Sequence, residues 1–251
     1  MSTLLIDAGN TRIKWARLRG AKRGPVRALA WSASNINRLA KQILGGADQW
    51  QQVLVASVAG VAVNAALRRA ASAAGAPAPT FMHSTSRLAG VTNAYRVPAH
   101  LGVDRWLAMI GARAQWPRQA LCIVSIGTAI TVDVLDSRGR HRGGWIIPGP
   151  RLMVDALLAR TALIRQRATR GAAARAAAGL WARDTRSAIE IGALQASDAV
   201  VTHAHREAAR LLKRPVLLVL SGGGARANAN SIHAPELVLD GLAVLAAQRR
   251  S

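Results

Sequence analysis

The sequence predicts an α/β protein of two similar lobes, each a mixed β-sheet with flanking helices, facing each other across a central cleft. Three observations carry this reading. Short β-rich runs first pair with one another and then alternate with runs of helical periodicity. A unit of strand, glycine turn and strand occurs twice, its turn glycines Gly9 and Gly127 lying 118 residues apart, and a duplicated unit of this kind builds two like halves. The chain, 251 residues and 51% hydrophobic, is also long enough to bury a core in each half.

Taken in order, an apolar strand over 3–7 passes through the small-residue turn Ala8-Gly9-Asn10-Thr11 into a second strand through Ile13 and Trp15, a β-hairpin. Residues 26–31 read as a strand, 36–44 as a helix, 52–57 as a strand, 61–73 as a helix and 80–82 as a short strand. Over 101–115, Leu101, Trp106, Leu107, Ile110 and Ala114 recur at helical spacing until Trp116-Pro117 ends the run, since proline has no N–H to continue it. The halves divide near 115–120, giving lobes over 1–117 and 118–251. The second opens with a strand over 121–126, the turn Gly127-Thr128-Ala129, a strand over 130–135 and another over 142–147 that Pro148-Gly149-Pro150 stops. A helix over 152–159, a low-complexity Ala/Arg stretch over 171–179, a long helix over 186–212, a strand over 216–220, the turn Ser221-Gly222-Gly223-Gly224 and a helix from Asp240 complete it.

Composition narrows the function classes. The net charge of +22 comes from 30 Arg and 4 Lys against 12 acidic residues. These cations are spread along the chain beside a heavy Ala load, as a compositional bias would spread them, and no aromatic-interleaved basic motif accompanies them. Nucleic acid is therefore not the expected partner, although the field attracts anionic ligands. No run of 18 apolar residues lacks a charge, and no basic segment followed by an apolar stretch opens the chain, so a soluble cytoplasmic protein without membrane contact is expected. Cys122, the single cysteine, sits in an apolar run and reads as a packed thiol. The histidines form no ligand cluster, because His203 and His205 are two apart on a helix and His83, His100, His141 and His233 are isolated.

Chemistry points elsewhere. In Asp7-Ala8-Gly9-Asn10-Thr11, with Lys14 three residues on, glycine lets the backbone approach a polyphosphate, the amides and side chains donate to its oxygens, and a strand-end carboxylate can hold Mg²⁺. The same residues also suit an ordinary hairpin turn with Asp7 solvated. Gly127-Thr128-Ala129-Ile130-Thr131-Val132-Asp133 offers a second such turn from the other half, so that two turns would clamp phosphates in one cleft. Asp133 ranks below Thr128 here, as a strand residue after the turn that could cap or face solvent. Ser221-Gly222-Gly223-Gly224-Ala225 is a third permissive turn, suited to a nucleoside resting on backbone. Asp104, in Gly102-Val103-Asp104-Arg105, could accept a proton from a substrate hydroxyl while Arg105 orients an anion; equally, an Asp in a first helical turn meets the helix dipole without any substrate.

In this combination and order the motifs resemble those of the type III pantothenate kinases across nearly the whole chain. Asp7-Ala8-Gly9-Asn10-Thr11-Arg12-Ile13-Lys14 is similar to that family's first phosphate motif, and Asn93-Ala94-Tyr95 with Leu101-Gly102-Val103-Asp104-Arg105-Trp106 to its pantothenate motif. Gly127-Thr128-Ala129-Ile130-Thr131 resembles its second phosphate motif, Gly143-Gly144-Trp145-Ile146-Ile147-Pro148-Gly149 the strand and turn that follow, and Thr185, Ala188, Ile189 and Gly192 a later substrate-side pattern. The resemblance implies two lobes of ribonuclease H-like, actin-like ATPase fold and the ATP-dependent phosphorylation of pantothenate on its terminal hydroxyl. By the same resemblance Asp104 is the catalytic proton acceptor, Asp7 organises Mg²⁺ partly through water, and Asp7, Ala8, Gly9, Asn10, Thr11, Arg12, Ile13, Lys14 and Thr128 hold ATP. Tyr95, Gly102, Val103, Asp104, Arg105 and Thr185 contact pantothenate, Arg105 through its carboxylate, and a homodimer partner helps close the pocket.

One departure stands out. Many family members carry an Asp two residues before the glycine of the second phosphate motif, where it binds an activating monovalent cation, K⁺ or ammonium; here that position is Ser125, which aligns with Asp7 in the repeat and brings no charge. Two other classes fit parts of the sequence: a non-catalytic transcriptional accessory protein on the same fold, which the charge would suit, and another kinase or a polyphosphate phosphatase of the same superfamily. Intact Asp7, Asp104 and Thr128 favour the pantothenate kinase, because a scaffold has no physical need of that set.

Overall fold

In the computed structural model, which describes residues 2–45, 50–164, 168, 181–225 and 230–248, both expected hairpins form and each seeds a sheet of like connectivity. β1 (Ser2–Ala8) pairs antiparallel with β2 (Arg12–Arg19). β3 (Lys22–Arg23) and β4 (Arg27–Ala30) both add to β2. On its other side β1 runs parallel to β5 (Gln52–Ser57), and β5 parallel to β6 (Thr80–Phe81). The second sheet repeats the plan: β9 (Leu121–Ile126) pairs antiparallel with β10 (Ala129–Leu135), which pairs with β11 (His141–Pro148). β9 also runs parallel to β12 (Leu217–Ser221), and β12 to β13 (Ile232–His233). Between the sheets in sequence lies the small hairpin β7 (Arg87–Leu88) and β8 (Val91–Thr92).

The helices cover the sheet faces, as strands buried on both sides require. α1 (Ile36–Leu44) and α2 (Val61–Ala73) pack Leu39, Ile43 and Leu67 onto Leu4, Ile6, Val53 and Val55 of the first sheet. α4 (Pro150–Arg160) and α5 (Thr185–Leu212) follow β11, and α5 lays Val201 and Ala204 on Val124, Ile130 and Leu218 of the second. The remaining pair, α3 (Val103–Gln115) and α6 (Leu237–Gln248), lies between the sheets, where Trp106, Met109 and Leu242 share one core with Leu5, Leu54, Ile123 and Val219. These two helices cross through glycine: a Cβ on Gly111 would stand 2.3 Å from the Leu237 carbonyl oxygen, and one on Gly241 2.1 Å from that of Leu107.

The differences from expectation are local. β3, β7, β8 and β13 are two residues long, too short to leave a periodic signal. α6 begins at Leu237 rather than Asp240, because Leu237, Leu239 and Leu242 fill the shared core, although Leu237 and Leu239 stand at the two-residue spacing of a strand. α3 begins at Val103 after a 3₁₀ turn over Pro98–His100. The Ala/Arg stretch over 171–179 lies outside the described residues. Among those described, no helix is long and apolar enough to cross a membrane.

Candidate active site

The hairpin turns of the two sheets meet. In the first, the Gly9 amide donates to the Arg12 carbonyl at 3.0 Å, and Trp31 pins the turn by donating its Nε1–H to the Gly9 carbonyl at 2.7 Å. Asn10, Thr11 and Arg12 are thereby left exposed, whereas Ala8 and Ile13 are wholly buried and offer the turn only backbone. In the second, the Gly127 amide donates to the Ala129 carbonyl at 3.0 Å, Thr128 is exposed, and the third glycine turn docks behind it, the Gly224 amide donating to the Ile126 carbonyl at 3.0 Å. Thr11 Oγ1 and Thr128 Oγ1, from opposite sheets, lie 3.3 Å apart.

Carboxylates gather behind these hydroxyls. Asp7 is the penultimate residue of β1, and burial pushes its carboxyl up from the ordinary 3.8 to about 7; Lys14 opposes the shift, while the charges of Asp104 and Glu236 add to it. Lys14 is the hairpin partner of Asp7, but its Nζ donates to Glu236 Oε2 at 3.0 Å and to the Pro235 carbonyl at 3.2 Å. The lysine expected at phosphates is thus held by the segment that leads into α6, and Glu236 is a member of the site that nothing in the local sequence announces. Asp104 is the second residue of α3, where its Oδ1 accepts from the Arg105 amide at 2.8 Å. It serves the helix start, and burial raises its carboxyl from the ordinary value, with the Arg105 amide and charge opposing. Gly102 makes room for it: a Cβ there would lie 2.7 Å from Asp104 Oδ1.

The side chains expected at an acceptor substrate form a chain of contacts that runs from a half-buried loop to a buried ion pair. Asn93 fixes the loop before α3 by donating to the Thr85 and Pro98 carbonyls, both at 3.2 Å, and accepting from the Tyr95 amide at 2.9 Å. Tyr95 Oη accepts from Arg105 Nη1 at 2.8 Å. Arg105, only 5% exposed, clasps Asp133 of β10 in bidentate fashion, Nε to Oδ2 at 3.0 Å and Nη2 to Oδ1 at 2.6 Å. Asp133 is therefore neither a cap nor solvated, and Arg105 is not a free cation awaiting an anion. His141, also buried, stacks on Tyr95 with ring centroids 6.1 Å apart and sets its Nε2 3.0 Å from Asp133 Oδ1, without hydrogen-bond alignment. It had been indistinguishable from the isolated histidines.

The sequence profile of the type III pantothenate kinases matches residues 3–207. The chain belongs to the type III pantothenate kinase family. It is 35% identical to the type III pantothenate kinase of Nitrosococcus oceani over 97% of this chain and 93% of that one, and 38% identical to that of Burkholderia multivorans over 98% and 96%. A Campylobacter jejuni protein assigned to the Baf family of transcriptional activators superposes with a TM-score of 0.58 at 17% identity over 99% of this chain and all of its own. The ethanolamine utilization protein EutJ of Carboxydothermus hydrogenoformans gives 0.54 at 12% identity, over 98% and 89%. The fold is that of two ribonuclease H-like lobes, as in actin-like ATPases.

Within this pantothenate kinase family member, the site residue that stands apart is Thr185. It opens α5 and lines, with Met153, Leu157, Ile164 and Ile189, an apolar groove of about 580 Å³ between α4 and α5, and no hydrogen bond ties it to the Asp104 and Arg105 cluster. Ser125 occupies the β9 position equivalent to Asp7 of β1: each pairs antiparallel with the next strand, opposite Thr131 and Lys14, and parallel with a later one, opposite Ser221 and Ala56. Among the described residues no group of three His, Cys, Asp or Glu side chains is placed to ligate a metal by itself.

Proposed function

We propose that this chain transfers the γ-phosphoryl group of ATP to the terminal hydroxyl of pantothenate, giving 4′-phosphopantothenate at the start of coenzyme A synthesis. The observation that carries the reading is the meeting of Thr11 and Thr128 over a partly buried Asp7 and Asp104. The backbone and side chains of Gly9, Asn10, Thr11 and Arg12 face the phosphates from one lobe and Thr128 from the other, with Lys14 beside them on its Glu236 anchor. Asp104, its proton affinity raised, accepts the hydroxyl proton as the acceptor attacks. Tyr95, Gly102, Val103 and Arg105 form the pantothenate side. The lobes divide at Trp116-Pro117, the cleft between them holding both substrates.

The charge balance fits Mg²⁺ at Asp7. The charges of Asp104 and Glu236 both act on Asp7 with Lys14 opposing them, a local deficit of positive charge that a divalent ion accompanying ATP would fill. Bound there, the ion supplies neutralisation of charge developing on the phosphate oxygens. Ser125 withholds a formal charge from the monovalent-cation position, so stimulation by K⁺ or ammonium is weakened or lost. The protein works as a cytoplasmic homodimer: Thr185 reaches pantothenate in the neighbouring protomer's pocket, and the apolar α4–α5 groove that it lines is covered by the second copy.

The Asp104→Asn variant tests the base directly. It is expected to retain pantothenate binding by calorimetry while turnover falls by about 10²–10⁴-fold, the usual worth of a general base; unchanged turnover would remove Asp104 from that role.

A further inference from the structure

Burying a guanidinium is costly unless a carboxylate meets it squarely, and losing one partner of such a pair leaves the other stranded. The sequence goes to some length to bury this one. Asp133 sits on β10 where the pairing with β11 slips, between Asp133 and Leu135, and such bulges re-aim side chains. Opposite it, Gly144 has no space for a side chain: a Cβ would lie 2.8 Å from Arg105 Nη2, 2.9 Å from Asp133 Oδ1 and 1.9 Å from the Val132 carbonyl oxygen. The preceding Gly143 has φ +106°, a backbone state that side chains resist. Strand irregularity and two glycines thus converge on one ion pair.

The pair joins the two halves of the chain. Arg105 and Tyr95 belong to the first half of the chain, Asp133, Gly144 and His141 to the second sheet, and the guanidinium spends Nε, one Nη1 proton and one Nη2 proton on Asp133 and Tyr95. Two N–H groups remain, one on each terminal nitrogen. Their direction is fixed by the clasp, whereas an unclasped arginine would sample many rotamers.

We propose that Asp133 is a positioning residue of the acceptor subsite: from the second lobe it locks Arg105, and through it Tyr95, so that the two free guanidinium N–H groups select an acceptor by its carboxylate. The inference rests on the pantothenate kinase reading and adds to it a specificity determinant outside the substrate motif. His141 backs the clasp as a buried stacking partner of Tyr95. A pre-aimed donor pair rejects an analogue lacking its acceptor far better than a mobile one, because the unpaired donors remain buried.

The test compares pantothenate with pantothenyl alcohol, which keeps the hydroxyl to be phosphorylated but replaces the carboxylate. In Asp133→Asn the ratio of kcat/KM for pantothenate over the alcohol is expected to fall at least about tenfold, mostly through a raised pantothenate KM, while the KM for ATP stays within about twofold. A general loss of structure would lower both acceptors together and leave the ratio alone. Arg105→Met and Arg105→Met/Asp133→Asn complete a cycle that also serves if the single Asp133 variant does not fold, since the double variant strands no charge. Equal acceptor ratios in those two proteins are expected, because Asp133 acts only through Arg105. An unchanged ratio in Asp133→Asn, or a further fall in the double variant, overturns the positioning role alone. Absence of wild-type turnover overturns the kinase reading, and the acceptor role of Asp133 with it.

Discussion

Asp7 shows how the site departs from what favours folding. Its carboxyl titrates near 7 in the folded chain against an ordinary 3.8, so the folded state binds its proton more tightly than the unfolded one. Stability from this group is fully present below about pH 4, falls as the unfolded chain ionises, and is lost once pH passes about 7. Asp7→Asn is therefore expected to raise stability of the ligand-free protein at pH 8 by on the order of 1–2 kcal/mol and to leave it unchanged near pH 4, while abolishing turnover. Urea titrations at the two pH values check it, and an equal effect at both would show that Asp7 is not strained by burial. Cys122, by contrast, is silent: burial pushes its thiol up to about 12, which suits a core residue. What the sequence could not disclose at this scale is partnership. Asp133 meets an arginine 28 positions away and Lys14 a glutamate 222 positions away, and whether a charge is buried depends on its partner rather than its neighbours.

Among the elements, those with a full period of signal were legible. The strand over 52–57 and the helices over 36–44 and 61–73 fall where apolar alternation and helical spacing put them, and the repeated glycine turns gave the two sheets before any contact was known. Of the two-residue strands only β6 was legible; β3, β7, β8 and β13 were not, nor was the start of α6, whose leucines are read correctly only against α3. That crossing yields a prediction contrary to helix propensity. Gly→Ala within a helix ordinarily stabilises by about 1 kcal/mol, yet a Cβ at Gly241 would meet the Leu107 carbonyl oxygen at 2.1 Å. Gly241→Ala is expected to lower Tm by several degrees, overpacking costing about 1–3 kcal/mol; a raised Tm would mean that the helices do not touch there.

For the whole molecule, polar links between the two halves of the chain include Lys14 to Glu236, Arg23 to Asp240 at 2.8 Å, Gln115 to Asp240 at 2.9 Å, Arg113 to the Ser137 carbonyl at 2.8 Å and the Arg105–Asp133 clasp. Ile146 of β11 and Leu152 and Leu157 of α4 are exposed, and Leu157 lines the α4–α5 groove, apolar surface of the kind that partner subunits cover. If the proposed homodimer forms on this surface, Leu157→Glu is expected to give a folded monomer by light scattering with little turnover, because Thr185 would no longer reach a neighbour's pocket; a fully active monomer would place all substrate contacts within one chain. The central claim is tested most directly by incubating the purified protein with ATP, Mg²⁺ and pantothenate, with and without K⁺, and measuring 4′-phosphopantothenate. Product that depends on ATP and Mg²⁺ and changes little with K⁺ is expected; folded protein that makes none in either buffer would contradict the account and leave a binding protein on a kinase fold.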